Sequence, residues 1–387
     1  MSKLLSDRIR RMELTPYERV VREFMGIQGA ISLLAGDPDF PTPGHITQAA
    51  VEALREGWTK YPPIPGYEDL RRAVAEYHGR YGVEWSANNV LPTPGSSQAL
   101  FLCLEATLRE GDEVILPTPT YLDYFRILRY FGARIVEVPM VEEGWRLDLE
   151  GLKEAVSEKT RMIIACNPNN PTGTVYTEEE AKGIADIAVD EDLLVVSDEV
   201  YNEFLFDGRR HLSLAAEPGM RERTMVILSF SKTFAITGWR LGFVLADEEF
   251  IRGLQRIPIG FRPSSFIQRA AIAALKGPWD EVKRMAEEYD RRRRFMTERL
   301  NEMEGVECQL PEGAFYVFPS FRDLNIKSVE LVENLAKKGK ILVHPGLAFG
   351  EAGEYHIRIP LVKPIEELGR VAEKLESVLG ELLKGGG

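Results

Sequence analysis

Lys232 lies two residues after an apolar run, which is an unusual place for an amine. It stands in "SFSKTFAITGWRLG", residues 229–242, after the run "TMVILSF", and Arg240 follows eight residues later. Removing a lysine amine from water is unfavourable unless a nearby group needs it. Lysine amines form imines with carbonyl compounds, which is a common form of covalent catalysis. The segment therefore predicts a reactive lysine with an arginine close behind it in the chain.

Three other groups of polar residues also follow apolar runs. Gly95, Ser96 and Ser97 open the helix-like stretch "GSSQAL", where free N–H groups suit an anion such as phosphate, although serine there is often only an N-cap. Asp198 in "LLVVSDEVY" either caps the next helix or has a buried cationic partner, because an unpaired buried carboxylate is unfavourable. "NPNNPTG", residues 167–173, is either a plain loop or a source of oriented amides.

A single ligand would account for all of these groups. It carries a phosphate, an aromatic ring with a basic nitrogen, and an aldehyde that a lysine can capture, which describes pyridoxal 5′-phosphate. Nucleotide phosphates are not indicated, because the chain has neither G-x-x-x-x-G-K-[ST] nor G-x-G-x-x-G.

The elements that must position these residues alternate along the chain. From about Pro43 to Lys276, helix-like stretches alternate with apolar runs such as "DEVILPTP", "RIVEVP", "RMIIACNP" and "LLVVSDE". Such alternation predicts an α/β fold with a mostly parallel sheet, whose ligands bind at the carboxyl ends of the strands. After Pro278 a long charged helix, about 278–303, and short strands predict a smaller α+β domain. We expect a discontinuous small domain (1–42 and 278–387) and a large cofactor-binding domain (43–277).

Composition excludes several classes of protein. Hydrophobic residues make up 44%, charged residues 28%, and the net charge is -12, so the overall field repels nucleic acid and anionic membranes. The three cysteines, Cys103, Cys166 and Cys308, are far apart, which argues against a disulfide framework or a metal site. No stretch has the apolar length of a membrane span or of a leader, so a cytoplasmic protein is expected. The run Arg291–Arg294 is expected to form a solvated helix face with i,i+4 ion pairs.

Eight motifs carry a resemblance to a known family. In order along the chain they are "GDPDF", "YPPIPGYEDLR", "GSSQA", "NPNNPTG", "SDEVY", "SFSKTF…GWRLG", "GAFYVFP" and "YHIRIP". With them the chain resembles a fold-type I, class I/II aminotransferase of the aspartate aminotransferase superfamily. The resemblance implies a mostly parallel seven-stranded sheet flanked by helices, a smaller discontinuous α+β domain, and pyridoxal 5′-phosphate as the cofactor.

The resemblance also implies roles for individual residues toward this cofactor. Lys232 would form the imine and then carry the proton between substrate and cofactor. Asp198 would pair with the ring nitrogen, and Tyr201 and Asn170 would hydrogen-bond the ring oxygen. Tyr121 would stack on the ring. The phosphate would be held by Ser96, Ser97, Ser229, Ser231, Arg240 and, from a neighbouring subunit, Tyr61.

Substrate contacts are implied more sparsely. Arg358, with Gly36 and Asn170, would bind the substrate α-carboxylate, although an arginine in "YHIRI" would otherwise be an edge-strand charge. Arg262 is a candidate for a distal carboxylate; alternatively it pairs with a surface acid or assists the phosphate. The resemblance thus implies a homodimer with composite active sites that acts on an amino acid and a 2-oxo acid. We expect glutamate and 2-oxoglutarate as one couple.

Two alternatives remain open from the sequence. The same fold and cofactor would serve a C–S lyase, a decarboxylase or a synthase, because cofactor motifs do not determine the reaction. A non-catalytic ligand-sensing domain of a regulator is the more remote alternative. It is disfavoured because the chain is acidic and has no residues left for a DNA-binding module.

Overall fold

The described part of the N-terminal segment contains two helices and one short strand. The computed structural model describes residues 4–10, 12–258 and 262–385. Its first elements are α1 (Asp7–Arg10), α2 (Pro16–Phe24) and β1 (Ile31–Ser32). Helix α2 begins with a capping box, in which the Thr15 hydroxyl accepts from the Glu18 N–H and the Glu18 carboxylate accepts from the Thr15 N–H at 2.7 Å. The box satisfies N–H groups that the first helical turn leaves without partners.

Helices and strands alternate through the middle of the chain. In order they are α3 (Gly44–Arg55), α4 (Glu68–Gly79), β2 (Val90–Thr93), α5 (Ser96–Thr107), β3 (Glu113–Thr118), α6 (Leu122–Phe131), β4 (Arg134–Pro139), α7 (Leu149–Glu154), β5 (Thr160–Cys166), α8 (Glu178–Asp190), β6 (Leu194–Asp198), β7 (Thr224–Ser229), α9 (Phe230–Thr233), β8 (Gly242–Leu245), α10 (Glu248–Leu254) and α11 (Ser265–Lys276). The remaining elements are α12 (Asp280–Asn301), β9 (Tyr316–Val317), α13 (Ser328–Asn334), β10 (Ile341–Leu342), β11 (His344–Pro345), β12 (Ile357–Pro360) and α14 (Ile365–Gly385).

The central sheet has seven strands in the order β2-β8-β7-β6-β5-β3-β4. Strand β8 is antiparallel to both of its neighbours, β2 and β7, and the other pairs are parallel. Every residue of β3 and β7 is buried, as expected for strands covered on both faces. The predicted α/β fold with a mostly parallel seven-stranded sheet flanked by helices is confirmed.

Smaller sheets connect the two ends of the chain. Strands β11, β12 and β9 form an antiparallel sheet, in which His344 lies opposite Arg358. Strand β1 pairs in parallel with β10, so the N-terminal segment is hydrogen-bonded to the C-terminal part of the chain. Among the described residues, no helix is both long enough and apolar enough to cross a membrane.

The prediction for the basic run on α12 is wrong for two of its four arginines. Arg291 and Arg294 are exposed, but Arg292 is 3% exposed and Arg293 is fully buried. Successive helical residues point about 100° apart, so four in a row cannot share one solvated face. Arg293 pairs with Asp207 at 2.8 Å, as a buried guanidinium requires.

Candidate active site

A cavity of about 340 Å³ lies at the carboxyl ends of the central strands. Strands β2, β5, β6 and β7 each end at it, as expected for a ligand site in an open α/β sheet. Its lining includes most of the residues predicted from the sequence, namely Gly36, Ser96, Ser97, Tyr121, Asn170, Asp198, Tyr201, Ser231, Lys232, Arg240 and Arg358.

Lys232 lies on the short helix α9, immediately after β7. Its Nζ donates a hydrogen bond to the Gly36 carbonyl oxygen at 2.5 Å. Burial lowers the pKa of the Lys232 amine to about 8, with Arg358 and Arg240 adding repulsion and Asp37 opposing the change. A substantial fraction of this amine is therefore neutral near pH 8, which makes it a nucleophile and a base.

Asp198 ends β6 with its carboxylate inside the cavity. Tyr124 donates to Asp198 Oδ2 at 2.6 Å, and the Val200 N–H donates to Oδ1 at 3.3 Å. Burial raises the pKa of Asp198 to about 6, against these two hydrogen bonds, which lower it. No cation pairs with Asp198 among the described residues, so this carboxylate remains available to a cationic ligand. Tyr124 was not identified from the sequence; its ring lies 5.4 Å from the ring of the predicted Tyr121.

Glu199, the neighbour of Asp198, is part of a separate buried cluster. Its carboxylate accepts from His78 Nε2 at 2.9 Å, from His211 Nε2 at 2.8 Å and from the Ser213 hydroxyl at 2.7 Å. Successive side chains of an extended segment point to opposite faces, so Asp198 and Glu199 separate at the end of β6. The first of the two acidic residues thus faces the cavity and the second anchors the chain behind it.

A line of hydrogen bonds crosses the other side of the cavity. Arg358 Nη1 donates to Asn170 Oδ1 at 3.2 Å, Asn170 Nδ2 donates to the Tyr201 hydroxyl at 3.3 Å, and the Tyr201 and Tyr316 hydroxyls lie 2.8 Å apart. Arg358 Nη2 also donates to the Leu34 carbonyl at 2.6 Å. Arg358 is 3% exposed, its Nε has no partner, and no described carboxylate pairs with it. A buried guanidinium in this state is a ready site for an anion. Tyr316 was not identified as a site residue from the sequence.

Arg240 lies beside the start of α5 and adds a further charge to the cavity. Gly95 has φ +85, and a Cβ at this residue would lie 2.5 Å from Arg240 Nη2, so only glycine lets the arginine approach. Arg240 donates to the Thr237 carbonyl at 2.8 Å, and no described carboxylate pairs with it. Its guanidinium and the free N–H groups of Ser96 and Ser97 together favour a phosphate-like anion.

Within "NPNNPTG", only Asn170 faces the cavity. Asn167 Oδ1 accepts from the Tyr176 N–H at 3.0 Å, and Asn169 Nδ2 donates to the Pro119 carbonyl at 3.0 Å. Two of the three asparagines therefore hold the loop, which explains how the third is presented to a ligand.

Three predicted site residues lie outside the cavity lining. The Ser229 hydroxyl accepts from the Ser231 N–H at 3.2 Å and so caps α9. Tyr61 is 94% exposed and lines a second cavity together with Arg262, whose Nη1 donates to the Pro62 carbonyl at 3.4 Å. Residues 259–261, which precede Arg262 in the predicted motif, lie outside the described residues.

Known proteins match almost the whole chain. A sequence model of the family described as aminotransferase class I and II matches residues 28–375. The aromatic-amino-acid aminotransferase 2 of Thermococcus litoralis is 41% identical over 97% of this chain and 98% of its own length. The aspartate aminotransferase of Pyrococcus abyssi is also 41% identical, over 97% of this chain and 98% of its own length.

A solved structure extends the match to three dimensions. The aromatic aminotransferase from Pyrococcus horikoshii has a TM-score of 0.88 and 42% identity, covering 93% of this chain and 99% of that chain. This chain therefore belongs to the class I and II aminotransferases, which use pyridoxal 5′-phosphate to transfer an amino group between an amino acid and a 2-oxo acid.

Proposed function

We propose that this enzyme uses Lys232 as its reactive amine and takes glutamate and 2-oxoglutarate as one of its two substrate couples. The observation that carries the proposal is the set of charges around Lys232 that no described residue neutralises: the carboxylate of Asp198 and the guanidinium groups of Arg240 and Arg358. Asp198 and Arg358 are buried, and buried charges of this kind are unfavourable unless a ligand pairs with them, whereas Arg240 is exposed.

The cavity residues fit pyridoxal 5′-phosphate group by group. Asp198 suits a protonated ring nitrogen, and the corner formed by Arg240 and the start of α5 suits the phosphate. The Lys232 amine suits the aldehyde. When bound, the cofactor supplies this aldehyde and an electron-withdrawing ring. Other cavity residues suit the remaining groups of the cofactor. Tyr121 suits the ring face, and Asn170 and Tyr201 suit the ring oxygen. Ser96, Ser97 and Ser231 suit the phosphate, and Ser229 supports this corner indirectly because it caps α9.

Lys232 is also positioned to move the substrate proton. With substrate and cofactor bound, the Lys232 amine, whose pKa burial lowers to about 8, would accept the proton from the substrate Cα. Asp198 keeps the ring nitrogen charged, while Arg358 and the Gly36 N–H hold the substrate carboxylate. Burial raises the pKa of the Tyr201 hydroxyl well above its ordinary value, so Tyr201 stays protonated and acts as a donor.

We further propose a homodimer with composite sites. Tyr61 and Arg262 lie together at a second, open cavity of the single chain, which is where residues that reach a partner's site would be expected. The N-terminal segment and residues 278–387 are proposed to form one small domain, which the pairing of β1 with β10 supports. The three buried free cysteines support a reducing compartment such as the cytoplasm.

Complementation tests the composite site. When Tyr61→Ala and Lys232→Ala chains are co-expressed, each mixed dimer should contain one intact site, and random pairing should restore about a quarter of wild-type activity. The matched control is co-expression of Lys232→Ala with Asp198→Asn, because both residues belong to the same subunit's cavity and no intact site can form. Equal activity in the two mixtures, or a fully active monomer in light scattering, would refute the proposal.

The proposed couple of glutamate and 2-oxoglutarate requires a residue that binds the distal carboxylate, and we propose Arg262 for this role. A guanidinium fork matches a distal carboxylate, and relatives at 41% identity are named for aspartate and for aromatic amino acids. With glutamate and aspartate as donors, Arg262→Ala is expected to lower kcat/KM by about 30-fold or more. With tyrosine and phenylalanine the loss should stay below about threefold. An equal loss on both classes would remove the distal-carboxylate role, and a wild-type enzyme that ignores glutamate and 2-oxoglutarate would remove the proposed couple.

A further inference from the structure

Arg292 lies outside the cavity, yet its guanidinium contacts both segments that carry the proposed carboxylate-binding groups. It projects from α12 with a side chain that is 4% exposed. Its Nη1 and Nη2 donate to the two carboxylate oxygens of Asp39 at 2.7 and 3.0 Å, and Nη1 also donates to the Leu361 carbonyl at 2.9 Å. One side chain therefore bridges parts of the chain that are more than three hundred residues apart in sequence.

Asp39 belongs to the extended segment that follows β1 and covers the cavity. The Leu34 carbonyl in this segment accepts from Arg358 Nη2 at 2.6 Å, and the Gly36 carbonyl accepts from Lys232 Nζ at 2.5 Å. Backbone groups of this segment thus contact both the proposed carboxylate-binding arginine and the reactive lysine. A shift of the segment would displace these contacts together.

Leu361 belongs to the second segment. It follows the last residue of β12, the strand that carries Arg358. Its N–H donates to the Phe315 carbonyl at 2.9 Å, so the hydrogen bonding between β12 and the chain around β9 extends one residue past the end of β12. Arg292 therefore fixes the end of this strand relative to Asp39, and so fixes the distance between Arg358 and the segment of Gly36.

We propose that Arg292 is a positioning residue for the substrate α-carboxylate: it clamps the segment of Gly36 to the strand of Arg358. The inference rests on the proposed role of Arg358 and Gly36 in binding that carboxylate. The clamp needs arginine, because a planar fork holds both oxygens of Asp39 and still reaches the Leu361 carbonyl, whereas a lysine ammonium is a single point charge without that geometry.

Steady-state kinetics test the clamp. The amino donor is the one for which wild type has its highest kcat/KM. Arg292→Met is expected to raise the KM for the donor by about 10- to 100-fold while changing kcat by less than about threefold, because binding of the carboxylate is weakened before the chemistry. Asp39→Asn should behave like Arg292→Met, and Arg292→Lys should fall between it and wild type. The matched control is Arg291→Met. Arg291 pairs with Glu288, as Arg292 Nε does at 2.9 Å, but Arg291 is 67% exposed, and the KM of this variant should not change.

A double mutant separates positioning from a general loss of stability. If Arg292 acts through Arg358, adding Arg292→Met to Arg358→Ala should raise KM by less than about twofold further. Fully additive losses, an unchanged KM in Arg292→Met, or a loss confined to kcat would each overturn the inference. Should Arg292→Met fail to fold, Arg292→Lys and Asp39→Asn carry the same test. An Arg358→Ala enzyme with a normal KM would instead refute the proposed carboxylate site, whatever Arg292 does.

Discussion

Replacing Lys232 with alanine is expected to reduce the rate of amino transfer by at least about 10⁴-fold. The loss is this large because one side chain supplies both the amine that captures the cofactor and the base that moves the Cα proton. The protein should still fold, since Lys232 makes one described hydrogen bond, to the Gly36 carbonyl, and its burial disfavours its own charge. Turnover of glutamate with an added 2-oxo acid measures the first effect, and thermal unfolding of the cofactor-free protein measures the second.

Lys182→Ala is the control for this prediction. Lys182 is 68% exposed and pairs with Asp186 on the surface of α8, so its loss should change neither turnover nor the unfolding midpoint. Borohydride reduction of the holoenzyme, followed by peptide mass spectrometry, should place the cofactor on Lys232 in wild type and in Lys182→Ala. A Lys232→Ala enzyme that retains normal turnover would end the assignment of the reactive lysine.

Asp198→Asn should have opposite effects on activity and on stability. Activity is expected to fall by about 100-fold or more, because a neutral amide does not hold a proton on the cofactor ring nitrogen. The cofactor-free protein should become more stable above pH 6, because the variant no longer buries a carboxylate that lacks a cation. Raising the pKa of this group from 3.8 to about 6 corresponds to about 3 kcal/mol of unfolding free energy.

The pH dependence of this effect has a definite sign. The folded-state pKa of Asp198 is raised, so the contribution of this group to wild-type stability should fall as pH rises from about 4 to about 6 and then level off. The difference between Asp198→Asn and wild type should therefore grow over that window and vanish below it. Asp186→Asn, at a surface site that is 60% exposed, is the control and should leave activity and stability at pH 8 unchanged. A variant that is less stable than wild type at pH 8, or one with normal activity, would contradict the role of Asp198.

In the central sheet, the sequence predicted the five strands that carry long apolar runs and missed two short ones. The short strands expected after Pro278 are present as β9 to β12. Strands β3 to β7 each coincide with a run that was recognised. Strand β2 has four residues and contains Pro92, and β8 has four residues and begins with Gly242, so neither resembles a typical strand. The seven-stranded sheet was correct because the family resemblance supplied the two strands that periodicity did not.

The site residues could be predicted from the sequence where the residue type itself indicates a chemical role. Lysine, aspartate and arginine at strand ends pointed to the cavity, because charge at such places has few structural uses. Tyr124 and Arg292 were missed because their roles depend on partners 74 and 253 residues away, Asp198 and Asp39, and local sequence does not reveal these contacts. The prediction of a solvated face for the basic run on α12 failed for the same reason, because the burial of Arg292 and Arg293 depends on which residues pack against the helix.

The most direct test of the central claim uses the holoenzyme and an amino donor alone, with no 2-oxo acid added. An aminotransferase whose amine acceptor is the bound cofactor should release one equivalent of 2-oxo acid per subunit and then stop, and 2-oxoglutarate should restart it with formation of glutamate. Lys232→Ala should release none under the same conditions. Continuous formation of ammonia, carbon dioxide or a side-chain fragment without an acceptor would show a lyase or decarboxylase and contradict the account.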